Sequence, residues 1–233
     1  MIPVEGERLS SKKRSPGKGS VLKSPVQNHS KDLNIASAKN ARRVENKQRQ
    51  IVDGSCRLFF KKGYHPTTIR EIANASGMSM GQLYHYISSK DDVLYLVHKH
   101  MQNIWYEYLK NSDYEGTKEP LQKLSGALHR TLKFMSENRK LIQFIYSESK
   151  YLDRQHLQAV LEMDKKNVIG FWHKMLREVN SKKSIRGDLN FLASLVTYLL
   201  VFLSLRGWTL RGMSFKEEEA AVIDFILRGL GLK

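Results

Sequence analysis

The sequence predicts an all-α protein, with an N-terminal three-helix helix-turn-helix domain and a larger helical C-terminal domain. Three observations carry this. Apolar residues recur at i, i+3/i+4, i+7 through most of the chain after residue 44, and no alternating strand pattern competes. Four hydroxyl-x-x-acid/amide boxes mark helix starts: Thr68–Glu71, Ser79–Gln82, Ser88–Asp91 and Ser214–Glu217. Glycines stand where short helices must stop, at Gly63 and Gly77.

The elements come in order along the chain. Residues 1–43 read as a disordered basic arm, with three prolines, three glycines and many serines; ten basic residues face three acidic ones. A first helix is expected from about Val44 to Lys62, its apolar face on Ile51, Val52, Ser55, Cys56, Leu58 and Phe59. Gly63 ends it, and Pro66 biases His65 away from helix. A short helix opens at Thr68, Gly77 turns the chain, and a second, about two turns long, opens at Ser79 and runs to about Ile87. A longer helix then spans 91–109. Further helices are expected over 120–137, where Pro120 suits a first turn, and over 139–151, 154–179, 188–206 and 214–230. The domains are therefore 1–43 (arm), 44–90 (helix-turn-helix) and 91–233 (helical body).

Composition narrows the partners. The formal charge of +16 over 233 residues favours a polyanion. A single cysteine, Cys56, excludes an internal disulfide and a multi-cysteine zinc site, and its place in a helical pattern reads as a small buried thiol. No apolar signal stretch opens the chain, so a soluble cytoplasmic protein is expected. Residues 189–205 are strongly apolar, but 17 residues interrupted by Asn190, Ser194 and Thr197 read as a core or interface helix, with no membrane partner. The eight histidines are scattered. His98 and His100 are two apart, so they leave a helix on different sides and cannot share a metal. With no phosphate loop and no serine elbow, neither an enzyme nor a bound metal or cofactor is expected.

In a helix-turn-helix the second helix enters the major groove of DNA. Its outward candidates are Ser79, Met80, Gln82, Tyr84 and His85. Gln82 can pair with adenine, Met80 can touch a thymine methyl, and His85 can donate to guanine or phosphate. Leu83 and Ile87 suit the inner face. Thr67, Thr68 and Lys90 are candidate clamps on the DNA backbone; a capping box alone would also explain Thr68, and the two roles are compatible. Lys90 lies at a helix start, where the dipole disfavours a cation, so a phosphate partner would account for it. In the body, Trp105, Tyr108, Phe134, Phe144, Trp172 and Tyr198 could together line an effector pocket, although for any one of them plain core is the better reading. Leu192, Leu195, Leu199, Leu203, Val222, Phe225 and Ile226 give more apolar surface than one helical layer hides, and read as a homodimer interface built as a four-helix bundle.

Over residues 49–96 the chain resembles the TetR family of bacterial transcriptional regulators. The resemblance rests on Arg49, Ile51, Leu58-Phe59, Gly63-Tyr64, Thr67-Thr68, Ile72-Ala73, Ala75 to Ser79, Leu83-Tyr84, Tyr86, Lys90 and Leu94. Ile87 and Ser55 depart from it, standing where phenylalanine and alanine are usual, and the extension of some forty residues is long. The resemblance implies a dimeric regulator, most often a repressor, that binds double-stranded DNA, with a C-terminal ligand-binding and dimerisation domain for a small-molecule effector, and with Tyr84 on a phosphate. Cations about the body would tolerate an acyl-CoA or an aromatic acid. The competing reading is a non-regulatory DNA-binding adaptor whose affinity comes largely from the arm.

Overall fold

The computed structural model describes residues 29–110, 116–210 and 212–233, with side chains from residue 40 onward. Among these residues all regular structure is helical. The chain divides into two units, Met1–Ala41 and Arg42–Lys233, and the second unit contains both hydrophobic cores. Residues 1–28 of the expected arm lie outside the described residues.

Helix α1 (His29–Lys62) begins well before the expected Val44. No proline or glycine occurs between residues 29 and 53, and Ala36, Ala38 and Ala41 are strong helix formers. Apolar periodicity reports burial, so it missed a stretch that is helical by propensity. Gly63 then takes a φ of 87° and ends the helix. Helices α2 (Ile69–Ala75) and α3 (Met80–Tyr84) each start on a complete capping box, at Thr68 and Ser79. Gly77 joins them at φ 64°, a conformation free of strain only without a Cβ. Helix α3 is shorter than expected: after Tyr84 the chain tightens into i→i+3 bonds, His85 N–H to the Gln82 carbonyl and Tyr86 N–H to Leu83.

These three helices share a core of Ile51, Phe59, Ile72, Ala73, Met78, Leu83 and Ile87 with the first turns of α4 (Lys90–Lys110). The cap of α4 is one residue later than expected. Ser89 Oγ accepts from Asp92 N–H at 3.2 Å and Asp92 accepts from Ser89 N–H at 3.0 Å, which leaves Asp91 for another partner. Gly54 sets the spacing between α1 and α2. A Cβ there would lie 2.8 Å from the Ala75 carbonyl carbon and 2.7 Å from Ser76 Oγ.

The body comprises α5 (Pro120–Glu137), α6 (Arg139–Glu148) with a 3₁₀ turn (Ser149–Tyr151), α7 (Arg154–Asp164), α8 (Gly170–Asn180), α9 (Leu189–Arg206) and α10 (Phe215–Gly229). The single helix expected over 154–179 is interrupted by a π-helical turn at Lys165–Ile169. Trp105, Leu128, Trp172, Leu176 and Leu200 form its centre. The buried polar groups are mostly satisfied: Trp105 Nε1 donates to Thr131 Oγ1 at 3.4 Å, and Ser204 Oγ to the Met135 carbonyl at 2.8 Å. Cys56 is half-buried, and burial pushes its thiol up to about 12, so it is an unreactive thiol at neutral pH.

This packing makes two stability predictions. Gly54→Ala raises helix propensity yet should destabilise by about 1–3 kcal/mol, because the new methyl meets backbone; an unchanged or raised urea midpoint would contradict the close approach. His98, buried on α4 with Nε2 3.3 Å from Ser149 Oγ, is lowered to about 4 by desolvation. Its folded pKa lies below the unfolded value near 6.5, so its contribution is intact above 6.5 and is lost as pH falls through 4. The loss is on the order of 2–3 kcal/mol. Denaturation of wild type and His98→Gln at pH 7 and pH 4.5 should show the smaller acid loss in the variant.

Candidate functional site

The helix-turn-helix is pinned at one point. The Lys90 ammonium donates to the carbonyls of Tyr64, His65 and Thr67 at 3.1, 3.1 and 3.2 Å. It also lies 4.4 Å from the centre of the Tyr64 ring. The Tyr64 hydroxyl donates to Asp91 Oδ1 at 2.6 Å. Burial, then this bond to Asp91, raises the phenol well above its ordinary value. Desolvation lowers the Lys90 ammonium, with Asp91 opposing. Lys90, expected as a phosphate clamp, thus spends its donors inside the fold. A cation at a helix start, which the dipole disfavours, is explained by carbonyls of the α1–α2 turn as well as by a phosphate. The same turn absorbs Thr67. It is buried, and its hydroxyl donates to the Gly63 carbonyl at 2.8 Å, so its side chain is withdrawn from the surface.

Thr68 is exposed but occupied. Its Oγ1 donates to Glu71 Oε2 at 2.9 Å and accepts from Glu71 N–H at 3.3 Å. Lys62 completes the cluster 2.7 Å from Glu71. The Lys62 bond first, and the Thr68 bonds after it, hold the Glu71 carboxyl down at about 2. Arg57, whose role the sequence did not signal, donates to the Ala75 carbonyl at 2.7 Å and caps the C-terminus of α2.

On α3, Leu83 and Ile87 are buried, as their spacing predicts, and Tyr86 packs on the same core. Ser79, Gln82, Tyr84 and His85 are exposed together with Gly81. Met80 is only half-exposed, because it leans on the core. Gln82 Oε1 accepts from Ser79 N–H at 3.0 Å to close the capping box, which leaves its Nε2 donor free toward solvent.

Two openings in the body are lined by described residues. One is a cleft of about 460 Å³ between α4, α5, the π turn and α8. The other is a smaller cavity of about 80 Å³ lined by Trp105, Met135, Ile142, Ile145 and Val201, with Asp164 and Tyr146 among them. Desolvation raises the Asp164 carboxyl. Of the six residues expected in an effector pocket, Trp105 alone lines either opening. Trp172 is wholly buried core. Tyr108 and Phe134 pack on each other at 5.4 Å, with Arg130 over Tyr108. Phe144 stacks on Phe59 of α1 at 5.0 Å. Tyr198 is exposed. Aromatic content could not separate wall from core, because both are apolar and helical.

Helix α9 is long and apolar enough to cross a membrane by length and composition. Ala193, Val196, Leu200 and Leu203 pack its inner face into the body core. Its outer face carries Phe191, Leu195 and Tyr198 in the open, and α10 adds Phe225 at 65% exposure. Of the residues expected at a dimer interface, Leu195 and Phe225 are exposed, and Leu192, Leu199 and Val222 half-exposed. Leu203 and Ile226 are buried within the chain. Helical phase turns them inward and leaves Phe191 and Tyr198 on the outer face.

A box-capped helix pair around a positive-φ glycine, seated on a third helix, defines a helix-turn-helix protein. Similarity to known proteins narrows the class. The family model for bacterial regulatory proteins of the tetR family matches residues 51–95. The transcriptional regulator HbdR of Aromatoleum sp. is 31% identical over 109 residues, 47% of each chain, so this chain spans about half of that relative's length. The transcriptional repressor KstR2 of Mycobacterium tuberculosis is 22% identical over 151 residues, 64% of this chain and 74% of that one. The crystal structure of AibR with isovaleryl coenzyme A and operator DNA superposes with a TM-score of 0.60 at 19% identity, covering 79% of this chain and 98% of that one. Residues 51–95 are thus similar to the DNA-binding part of the tetR family of bacterial regulatory proteins, and the chain shares the fold of AibR.

Lys90→Met should cost about 1–3 kcal/mol by stranding the His65 and Thr67 carbonyls, while that of Tyr64 keeps its bond from Thr67 N–H. It should also raise amide exchange selectively over residues 63–68. Exchange unchanged in that turn would refute the pinning role.

Proposed function

We propose that this protein is a dimeric, ligand-responsive transcriptional regulator, acting as a repressor that a small amphipathic effector releases from a palindromic operator. The observation that carries the reading is the exposed face of Ser79, Gln82, Tyr84 and His85, set on a helix whose Leu83 is wholly buried. Such a face can enter a major groove while its inner side stays locked to the core. Gln82 Nε2 supplies a base-edge donor, and a second lone pair on Oε1 can still accept. Tyr84 and Thr68 are the proposed phosphate contacts. Lys90 is a positioning residue that sets the turn beside them.

So short a reading helix needs a second copy. The outer faces of α9 and α10 supply the proposed two-fold contact, and two heads would then read half-sites about one turn, ~34 Å, apart. Release requires the effector to bind the DNA-free conformation more tightly than the bound one. The relatives support this reading: KstR2 is a repressor, and AibR is seen with both operator DNA and a coenzyme A ester.

A second reading, a DNA-binding adaptor without an effector, is favoured by the charge of the arm. Removing residues 1–28 separates the two, since the regulator keeps sequence preference and the adaptor loses all binding.

Gel shifts on the promoter of the protein's own gene test the proposal, and equal affinity for specific and random fragments at physiological salt would reject it. Gln82→Ala should lose about 1–3 kcal/mol of discrimination at one base position only. Lys90→Met should weaken all sequences without changing the salt slope; a slope shallower by about one would make it a direct phosphate contact. Phe225→Glu should yield a monomer by sedimentation, and a dimer that persists would move the interface elsewhere.

A further inference from the structure

Four lysines from four elements converge on the larger body cleft: Lys110 at the end of α4, Lys123 on α5, Lys166 in the π turn and Lys174 on α8. One acid lines it with them, Glu178, and it pairs with Lys123 at 3.5 Å. No acidic partner lies within ion-pair distance of Lys110, Lys166 or Lys174 among the described residues. Like charges gathered around a concavity repel one another, and nothing in the packing requires lysine at these positions. The π turn is a second observation. It inserts an extra residue into the ladder between α7 and α8, a device concentrated at functional sites, and places Lys166 and Asn167 on the rim. Tyr106 and Phe171 add aromatic surface to the same cleft. At about 460 Å³ it is within the range of small-molecule sites.

The cleft meets the apolar cavity at Gln102, which lines both. There Asn167 Nδ2 donates to Gln102 Oε1 at 3.1 Å, tying the π turn to α4. We propose that the lysine cleft takes the polyphosphate end of a small amphiphile whose short apolar end enters the cavity beside Trp105, with the Gln102–Asn167 hydrogen bond as the gate between the two. An aromatic acid carries one charge and leaves most of these lysines unmatched; a head group with two or more phosphates matches them. Because α4 also carries Lys90, parting the gate would act directly on the helix that positions the reading head.

This site deepens the proposed effector function and rests on it, so binding is measured without DNA. Calorimetric titrations of the full chain use three probes: isovaleryl coenzyme A (head and short tail), coenzyme A (head alone) and isovalerate (tail alone). The ester is expected to bind tightest and isovalerate weakest. The double variant Lys166→Glu/Lys174→Glu, both at the cleft rim, should lose tenfold or more for the two phosphorylated probes, leaving isovalerate unaffected. Asn167→Ala, which removes the gate bond, should strengthen the ester and not coenzyme A. Equal affinity for ester and isovalerate, no loss in the double variant, or no phosphorylated probe bound at millimolar concentration would each overturn the proposal. So would loss of DNA affinity in the ligand-free double variant, since the cleft would then face DNA. A chain that binds the ester but no operator would sink the regulatory reading and leave the site standing.

Discussion

Three backbone carbonyls of the α1–α2 turn point at one ammonium group, and the head of this protein is organised about that contact. The carbonyls of Tyr64, His65 and Thr67 follow a helix end, where ladder partners run out. Lys90 arrives from the first residue of α4, more than twenty positions later, and satisfies all three. Its stem and charge lie against the Tyr64 ring, whose hydroxyl reaches back to Asp91 on the same helix. Adjacent residues of α4 thus hold both the backbone and the side chain of one turn. The contact sets the angle at which α1 hands over to α2, and so where α3 presents its exposed face.

The head is joined to the body by more than α4. Phe59 of α1 stacks on Phe144 of α6 at 5.0 Å, and His65 meets Tyr151 edge-on at 4.0 Å. His156, in the first turn of α7, lies 2.9 Å from Asp92 and 2.6 Å from Asp153, bridging the caps of α4 and α7. Helix α6 also lends Ile142 and Ile145 to the apolar cavity. One short helix therefore touches both the cavity and the head. A change of packing around Ile145 would reach Phe59 across a single side-chain layer, because close-packed interiors transmit displacement rather than absorb it.

Local signals are legible in the sequence where the chemistry itself is local. Capping boxes at Thr68, Ser79 and Ser214 form as their spacing predicts, since the partners lie three residues apart and need no tertiary help. Gly63 and Gly77 take positive φ because the turns require it. Ambiguity arises where two readings share one local pattern. Ser88-Ser89 before Asp91-Asp92 offers two possible boxes, and the later one forms because Tyr64 claims Asp91. Lys90 looks like a misplaced cation because its partners lie more than twenty residues earlier in the chain. Phe144 and Tyr198 look like pocket walls, since apolar character says nothing about which neighbour covers a side chain.

The sequence by itself determined the all-helical class, the two-helix motif, the family resemblance of residues 49–96 and the surplus charge, because these rest on periodicity, caps and composition within short windows. Tertiary structure decided which residues remain available for function. It withdrew Thr67 into a turn, committed Lys90 to carbonyls and buried Leu203 and Ile226. It turned Phe191 and Tyr198 outward and drew four lysines from separate helices around one cleft. Each of these depends on what lies opposite a side chain across the fold, and that is set by packing between segments far apart in the chain.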